Sequence, residues 1–497
     1  MVAFAASPYA SEARIVRAFP PDLADGRKEM RVPTRVHLAI LATASIVGAM
    51  LAPPAQAVPS FSRQTGMACA ACHTVFPELT HFGRVFKANG YVLDNLRQVR
   101  AVSSTRQQLL SLSQLPTLSV MMQTAYSTLS KAKPDPNGGS AQNGTVEFPR
   151  QLSLFYAGRI APHLGIFSQL TYDGKADHLS IDNTDVRFAK LMVLPGKNTL
   201  TYGLSLNNNP TVQDLWNTTP AWGFPFSHSN VAVAGTPLGP ADVQIDEQFA
   251  QQVAGLTGYV FYDQSLYVEF GGYRSFQPGA VAPLDSADSN VLAGFSPYWR
   301  LAYEYDWDAN ALEVGTYGED FKVYPGGGVP LAGPQSTYLD VAGDFQYQYL
   351  GEKNIVTVAG TYIHENMHAM PAGAANPADT LAVGKFWASY YYRRRYGGTI
   401  AWFGTSGSRD SGLYGFGCSS ARTLAYCSAH ALSTSATGSP DSNGFILEAD
   451  YLPWYNVKLS AQYVLFNKFM GATSNYDGYG RSASDNDVLQ LMLWYAF

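Results

Sequence analysis

The sequence predicts a mainly β protein, folded as a sixteen-stranded antiparallel β-barrel, and three observations support this fold class. Only 14% of the 497 residues are charged, while 31 are tyrosine; soluble domains carry about 25% charged residues. Segments of about ten residues alternate between apolar and polar side chains, which is the period of a strand. Short turns and long loops join these segments in alternation, as expected for a barrel made of hairpins.

Each strand is recognised by its period of two. From Trp299 to Trp307, every odd position is apolar or aromatic, and the even positions carry Arg300, Ala302, Glu304 and Asp306. We expect the polar face to line the lumen and the apolar face to meet lipid. The predicted strands lie near residues 118–130, 150–161, 164–174, 182–193, 197–208, 249–262, 265–275, 295–307, 310–321, 336–350, 354–365, 383–394, 397–406, 443–452, 456–468 and 486–497.

The connections indicate a bacterial outer-membrane protein. Short turns such as 161–165 and 195–197 alternate with connections as long as 209–248 and 407–442. The last strand ends on Phe497, and a C-terminal aromatic residue is common in proteins assembled into the outer membrane. A soluble β-sandwich would also alternate, but its outward face would be polar. Sixteen strands leave a lumen wide enough for a channel or a plug.

The N-terminal region predicts export. Basic residues between Met30 and Arg35 precede an apolar run, His37–Met50, and the A-x-A site Ala55–Ala57. We therefore read residues 1–57 as an upstream extension and a secretory signal peptide, which is removed. Residues 58–115 would form a small α-helical segment and residues 116–497 the barrel. The N-terminus and short turns would be periplasmic and the long loops extracellular. The net charge of −5 gives no reason to expect a nucleic-acid partner.

The motif Cys69-Ala-Ala-Cys72-His73 predicts attachment of one haem c. Two thiols at this spacing can form thioethers with the two vinyl groups of a porphyrin, and the adjacent histidine supplies an axial nitrogen to the iron. A disulfide between Cys69 and Cys72 and a zinc site are the alternatives, although no second Cys/His pair follows at a usable spacing. About 60 residues cannot bury a haem well alone, so we expect this segment to plug the lumen.

The segment offers walls for a haem. Phe76, Leu79, Phe82, Val85 and Phe86 recur at near-helical spacing, which also fits plain helix packing. Arg84 and Lys87 would be available to the propionates.

The sixth ligand is left open by the sequence. Met121 shares the lumenal face of the first strand with Ser119 and Gln123, and is the preferred candidate. Two other candidates are Met492, which lies on the lumenal face of the last strand, and His81, which is nearer to the motif in sequence. Thioether ligation would raise the reduction potential.

A second cysteine pair, Cys418 and Cys427, flanks a Gly/Ser-rich stretch. After export, these residues are expected to form a local disulfide in a surface loop.

The stretch from Pro59 to Tyr91 closely resembles the monohaem cytochrome–porin fusions of iron-oxidising bacteria. The shared residues are P-S-F-S-R-Q-T-G before the haem motif and F-P-x-L-T-x-F-G-R-x-F-K-x-x-G-Y after it. The resemblance implies haem attachment at Cys69 and Cys72, axial ligation by His73 and a sixteen-strand barrel. His81 departs from the family, in which proline is expected at this position.

The resemblance also implies an iron:cytochrome c oxidoreductase. Extracellular Fe(II) would be the donor, and a periplasmic c-type cytochrome or cupredoxin the acceptor. Oxidised iron precipitates, so a haem held in the pore would let the electron cross while the metal stays outside. Lumenal carboxylates could attract metal cations, or they could simply pair with basic side chains of the lumen. They are Glu304, Asp306, Glu313, Asp340, Asp344, Glu448 and Asp450; the candidate partners are Arg159, Arg300, Lys385, Arg393 and Lys458.

Two other functions remain open at this point. The chain could carry electrons from another donor, or work in reverse as an extracellular reductase. It could also be a transport porin whose haem segment is structural or regulatory.

Overall fold

The computed structural model describes residues 59–93, 98–102, 108–113, 117–222, 227, 229–233, 239–275, 290–325, 334–369 and 373–497. The expected signal peptide and the residues before it lie outside this part of the chain.

The N-terminal described segment is helical. Helix α1 spans Pro59–Thr65, a 3₁₀ turn spans Cys69–Ala71, and helix α2 spans His81–Ala88. The following stretch, included in the predicted α-helical segment, instead contains two short antiparallel strands, β1 (Gln98–Val102) and β2 (Gln108–Ser113). Among the described residues, none of the helices is both long and apolar enough to span a membrane.

The rest of the described chain is a series of strands. They are β3 (Leu118–Leu129), β4 (Thr145–Ala161), β5 (Leu164–Asp173), β6 (His178–Val193), β7 (Thr199–Asn207), β8 (Val253–Tyr262), β9 (Leu266–Ser275), β10 (Asn290–Leu292), β11 (Ser296–Trp307), β12 (Asn310–Pro325), β13 (Ser336–Leu350), β14 (Asn354–His368), β15 (Ala378–Tyr392), β16 (Tyr396–Gly407), β17 (Ser442–Trp454), β18 (Val457–Lys468) and β19 (Val488–Ala496). Two short helices, α3 (Ser411–Tyr414) and α4 (Leu424–His430), lie between β16 and β17. Single 3₁₀ turns span Pro220–Trp222 and Ala483–Asn486.

The strands close into an antiparallel barrel. Strand β19 pairs with β3, so that Met492 lies opposite Ala125, and β9 pairs with β11. Of the seventeen strands in this sheet, the three-residue β10 only extends the pairing of β12, so sixteen strands form the wall. The predicted fold class is confirmed at this level, and each of the sixteen predicted segments corresponds to one wall strand.

The two faces of the wall have the predicted polarity. On β11, Leu301, Tyr303 and Tyr305 are 46%, 50% and 57% exposed, whereas Arg300 and Glu304 are buried. Exposed aromatic side chains are concentrated where the strands meet the short turns. Those near the short turns include Tyr262, Tyr305, Trp307, Tyr349, Tyr392, Tyr396, Tyr451 and Tyr455.

The long connection between β7 and β8 folds against the inward-facing side chains. Leu215 and Trp216 are fully buried in one cluster with Ala302 of β11, and Phe249 stacks on Phe321 of β12 with ring centroids 5.1 Å apart. The sequence predicted 209–248 as a long connection but gave no sign that part of it folds inward. Residues 209–222 do so because their apolar side chains pack against inward-facing side chains of the strands.

Candidate cofactor site in the barrel lumen

The two cysteines and the histidine of the motif are held together by a tight turn. The backbone N–H groups of Cys72 and His73 both donate to the carbonyl of Cys69, at 3.0 and 2.8 Å. Cys69 and Cys72 both line one cleft with His73, and neither takes part in a disulfide. Burial, together with the neighbouring Cys69, raises the pKa of the Cys72 thiol to about 11. The disulfide between Cys69 and Cys72, which the sequence left as an alternative, is therefore not formed.

The hydrogen bonding and the pKa of His73 leave one ring nitrogen available as a ligand. Its Nδ1 lies 3.2 Å from the carbonyl oxygen of Glu78, to which it donates, and its backbone pairs with Leu79. Burial lowers the pKa of His73 to about 4. The ring is therefore neutral at pH 7, and Nε2 keeps its lone pair. A histidine that donates through one ring nitrogen to a carbonyl is the usual arrangement of an iron or zinc ligand.

Helix α2 is fixed directly on the motif. Thr80 caps the helix: its Oγ1 accepts from the N–H of Gly83 at 3.2 Å and donates to the carbonyl of Ala71 at 2.7 Å. A Cβ atom at Gly83 would lie 2.3 Å from the carbonyl oxygen of Cys72. Only glycine lets the helix approach this closely, so the sequence F-G-R sets the distance between α2 and the cysteines.

The cleft beside the motif is apolar and encloses about 860 Å³ of empty space, part of it open to solvent. Of the predicted walls, Phe76, Leu79, Phe82 and Phe86 line the cleft. Val85 does not; it packs against the buried cluster that contains Trp216.

Among the lining residues that had not been predicted, three come from distant parts of the chain. Asn217 and Trp222 come from the connection that enters the lumen, and Phe167 comes from β5. They are far from the motif in sequence, so only the tertiary fold reveals them. Met67 also lines the cleft; its position two residues before Cys69 was the only available signal.

Arg84 and Lys87 have roles other than the predicted one. The fully buried guanidinium of Arg84 donates to Glu304 at 2.6 Å and to Gln348 at 2.8 Å. Lys87 Nζ donates to the carbonyls of Val212 and Asp214 at 2.9 and 2.6 Å. Both cations therefore fasten the helical segment to the barrel and its inserted loop. Arg84 does not line the cleft, so the expectation that it is available to propionates is wrong; Lys87 does line the cleft, and its contact with a propionate stays a prediction.

His81 belongs to the same attachment and does not line the cleft. Its Nδ1 lies 2.8 Å from Glu304 and 3.0 Å from Asp306. Burial acts to lower the pKa of His81, but hydrogen bonds to Asp306 and Glu304 outweigh this and raise it to about 9. The three side chains could hold a metal ion, yet Glu304 also accepts from Arg84 and Trp216. We read the group as a charged histidine between carboxylates.

Met121 and Met492 lie away from the cleft. They pack together with Phe155 and Trp494, and both line a second lumenal cavity. The structure therefore does not bring the preferred sixth ligand to the cleft that holds His73, and Met121 stays a prediction.

Most lumenal charges are paired with one another. Arg300 binds Asp214, Glu313 and Asp344, and Lys458 binds Glu448 and Asp450. Lys385 binds Asp246, whereas Asp340 accepts from the backbone N–H of Ile245. Arg393 lies over the ring of Tyr392. The pairing alternative is thus confirmed for Arg300 and Lys458, whereas Lys385 pairs with a carboxylate of the connection between β7 and β8 that had not been predicted.

Cys418 and Cys427 are joined by a disulfide, with their Cα atoms 5.8 Å apart. The bond connects the start of the Gly/Ser-rich stretch to helix α4.

No protein-family model and no curated protein matches the chain. Among solved structures, it is similar to OmpT of Vibrio cholerae, at 10% identity and a TM-score of 0.39 over 76% of this chain and 97% of that one. The outer membrane channel DcaP of Acinetobacter baumannii is 10% identical, with a TM-score of 0.42 over 76% of this chain and 96% of that one. An anion-selective porin from Comamonas acidovorans is 12% identical, with a TM-score of 0.42 over 77% of this chain and 99% of that one. The fold assignment rests on the strand pairing and not on these distant likenesses.

Proposed function

We propose that this chain is an outer-membrane c-type cytochrome that oxidises extracellular Fe(II) and passes the electron inward to a periplasmic c-type cytochrome or cupredoxin. The observation that carries the proposal is the apolar cleft in the lumen, lined by Cys69, Cys72 and His73. This is the donor set for a covalent haem c, placed where a wall of strands surrounds it.

The residues of the cleft fit that group. Cys69 and Cys72 would hold it through thioethers and His73 Nε2 through the iron, while Phe61, Phe76 and Phe86 would exclude water from its faces. When bound, haem c supplies one-electron redox chemistry at this position. The carbonyl of Glu78 keeps the His73 ring in the tautomer that leaves Nε2 available.

The wall fits an outer-membrane location. Leucine, valine and tyrosine side chains face outward along the strands, and exposed aromatic residues gather at the short-turn end. Bands of apolar residues flanked by aromatic girdles are characteristic of barrels in the outer membrane. We infer that the short turns and the helical segment are periplasmic and the long loops extracellular.

The filled lumen lets electrons and metal be separated. Each Fe(II) gives up one electron, becomes Fe(III) and stays on the outer side, and the periplasmic acceptor gains that electron. Helix α2 and residues 209–222 occupy the lumen between the two sides, with Arg84, Lys87 and Trp216 buried among them.

Stopped-flow absorbance tests the proposal. The purified, oxidised protein is mixed with Fe(II), and the haem α-band is recorded. We expect reduction within seconds, abolished by His73→Ala and unchanged by the control His163→Ala in an exposed turn. A haem that reduces with dithionite but not with Fe(II) would favour another donor or the reverse direction. Absence of a covalent haem from protein matured with haem-attachment enzymes would contradict the proposal.

A second candidate is a transport porin with a structural haem segment. The second cavity in the lumen, with about 1,210 Å³ of empty space partly open to solvent, favours it. Conductance in a planar bilayer separates the two functions: a plugged barrel conducts little, whereas a transport porin shows open channels of steady size.

A further inference from the structure

The second lumenal cavity shares a wall with the cysteine-lined cleft. Phe76, Pro77, Phe167 and Trp222 line both spaces. The ring centroids of His73 and Phe76 are 5.4 Å apart, and those of Phe167 and Trp222 are 6.0 Å apart. One layer of mainly aromatic side chains therefore separates the second cavity from the space beside His73.

Polar side chains of β4 and β5 also line this cavity. The amide nitrogens of Gln151 and Gln169 donate to the hydroxyl of Ser153, at 3.3 and 3.1 Å, and Gln169 also donates to Thr171. These bonds tie the nitrogens to the wall. The amide oxygens accept no hydrogen bond from the described residues and are left as ligands for whatever occupies the cavity.

Two carboxylates complete this surface. Asp182 Oδ2 accepts from the hydroxyl of Thr171 at 2.9 Å, and its Oδ1 accepts from the backbone N–H of Asn183 at 2.8 Å and from the amide of Gln251 at 3.3 Å. A carboxylate offers about four lone-pair sites, so Oδ2 keeps a site for a ligand. Glu247, from the inserted loop, is exposed and lines the cavity.

The lining is negative overall. Its one basic side chain within the described residues is Lys458, whose ammonium is 3.0 Å from Glu448 and 3.7 Å from Asp450. The positive charge of Lys458 is therefore balanced by Glu448 and Asp450, whereas the carboxylates of Asp182 and Glu247 line the cavity.

We propose that this cavity is a binding site for a hydrated divalent cation, held by Asp182, Glu247 and the amide oxygens of Gln151 and Gln169. Carboxylate and amide oxygens are the ligands that hard divalent ions prefer, and such ions often keep several waters. A water occupies about 30 Å³ in the liquid, so the space suffices for an ion with its hydration shell.

A role for this site in the oxidation of Fe(II) rests on the proposed function. A ferrous ion bound here would keep its own ligands and remain outside the cleft, one aromatic layer from it. The site would thus hold the electron donor close without giving it access to the cofactor.

Binding of Mn²⁺ tests the site without any redox reaction. The free Mn²⁺ electron paramagnetic resonance signal falls when the ion binds, so titration of the full-length, detergent-solubilised protein gives a dissociation constant. We expect saturable binding that weakens at least about tenfold in Asp182→Asn/Glu247→Gln. The control Asp308→Asn/Glu352→Gln removes the same charge from two exposed short-turn positions and should bind as the unchanged protein does.

A second variant guards against a failure to fold. Gln151→Leu/Gln169→Leu removes two oxygen donors without changing the charge and should also weaken binding. Equal affinity for Mn²⁺ in the unchanged protein and in both cavity variants would overturn the inference.

The inference and the proposed function can fail separately. If Fe(II) reduces the haem equally fast in the unchanged protein and both cavity variants, and Mn²⁺ affinity is also unchanged, the site is wrong and the iron oxidase stands. If Mn²⁺ binds as expected but Fe(II) never reduces the haem, the site stands and the iron oxidase is wrong.

Discussion

Gly83 is the residue at which the helical segment and the cysteine motif approach most closely. A methyl group there would overlap the carbonyl of Cys72 at 2.3 Å, and both partners are backbone, so neither can move without displacing the turn or the helix. The conformation of Gly83 is ordinary; the close approach alone requires glycine.

We therefore predict that Gly83→Ala reduces haem incorporation several-fold while the barrel still folds. The clash would push α2 away from Cys72 and open the cleft. The haem-to-protein ratio, measured by absorbance after maturation, is the test. Gly417→Ala is the control, since no atom lies within 4 Å of its added Cβ. Equal ratios in the two variants would show that the contact does not shape the site.

His81 gives the attachment of the segment a pH dependence. Its pKa is raised to about 9 by Asp306 and Glu304, against about 6.5 in an unfolded chain. A raised pKa stabilises the folded form fully below pH 6.5, and the stabilisation disappears as the pH rises through 9.

We expect hydrogen-exchange protection factors in α2 to fall between pH 6.5 and pH 9.5. In His81→Gln they should be lower at pH 6.5 and nearly independent of pH. A decline of the same size in the variant would assign the pH dependence to other groups.

At the scale of single residues, the sequence predicts what covalent chemistry demands and little beyond it. Cys69, Cys72 and His73 were singled out because their spacing matches the haem c attachment motif, and the fold brings all three to one cleft. Asn217 and Trp222 were not singled out, because a loop more than 140 residues later brings them to the cleft. The assignment of Arg84 to a propionate failed for a related reason: its partners, Glu304 and Gln348, lie on strands whose register the sequence does not reveal.

At the scale of elements, α2 is attached to the strands by buried charge. Arg84 is 1% exposed and Glu304 is fully buried, and the guanidinium also reaches Gln346 at 3.2 Å. Removing one partner of a buried ion pair costs about 3–5 kcal/mol, since the other charge is left without compensation.

We predict that Arg84→Met lowers the protection factors of α2 at least about a hundredfold, the ratio that corresponds to about 3 kcal/mol. The amides of the wall strands should be unaffected. Arg395→Met, at an exposed turn position, serves as the control. Unchanged protection in α2 would mean that the segment is held mainly by its apolar contacts.

The strands were predictable because the two faces of the wall meet different surroundings. Alternation therefore runs through every strand, and all sixteen were located. Their ends were less certain: β4 begins at Thr145 and β15 at Ala378, each five residues before the predicted start. The inserted connection after β7 was missed because its buried residues follow no period.

At the scale of the whole molecule, the arrangement is a closed wall around a filled lumen. Closure through β19 and β3 leaves no free edge in the wall, and the helical segment packs against the inside of the strands. An electron can cross such a structure if a redox group sits in the lumen, while a hydrated ion must find an open path.

Electron transfer across a sealed membrane tests this directly. Proteoliposomes containing the haem-loaded protein enclose an oxidised soluble c-type cytochrome in one preparation and a coloured Fe(II) chelator in another. Fe(II) is then added outside. We predict that the enclosed cytochrome is reduced, that His73→Ala abolishes this, and that the enclosed chelator stays colourless. An enclosed cytochrome that remains oxidised while the chelator colours would contradict the proposal and identify a pore for the ion instead.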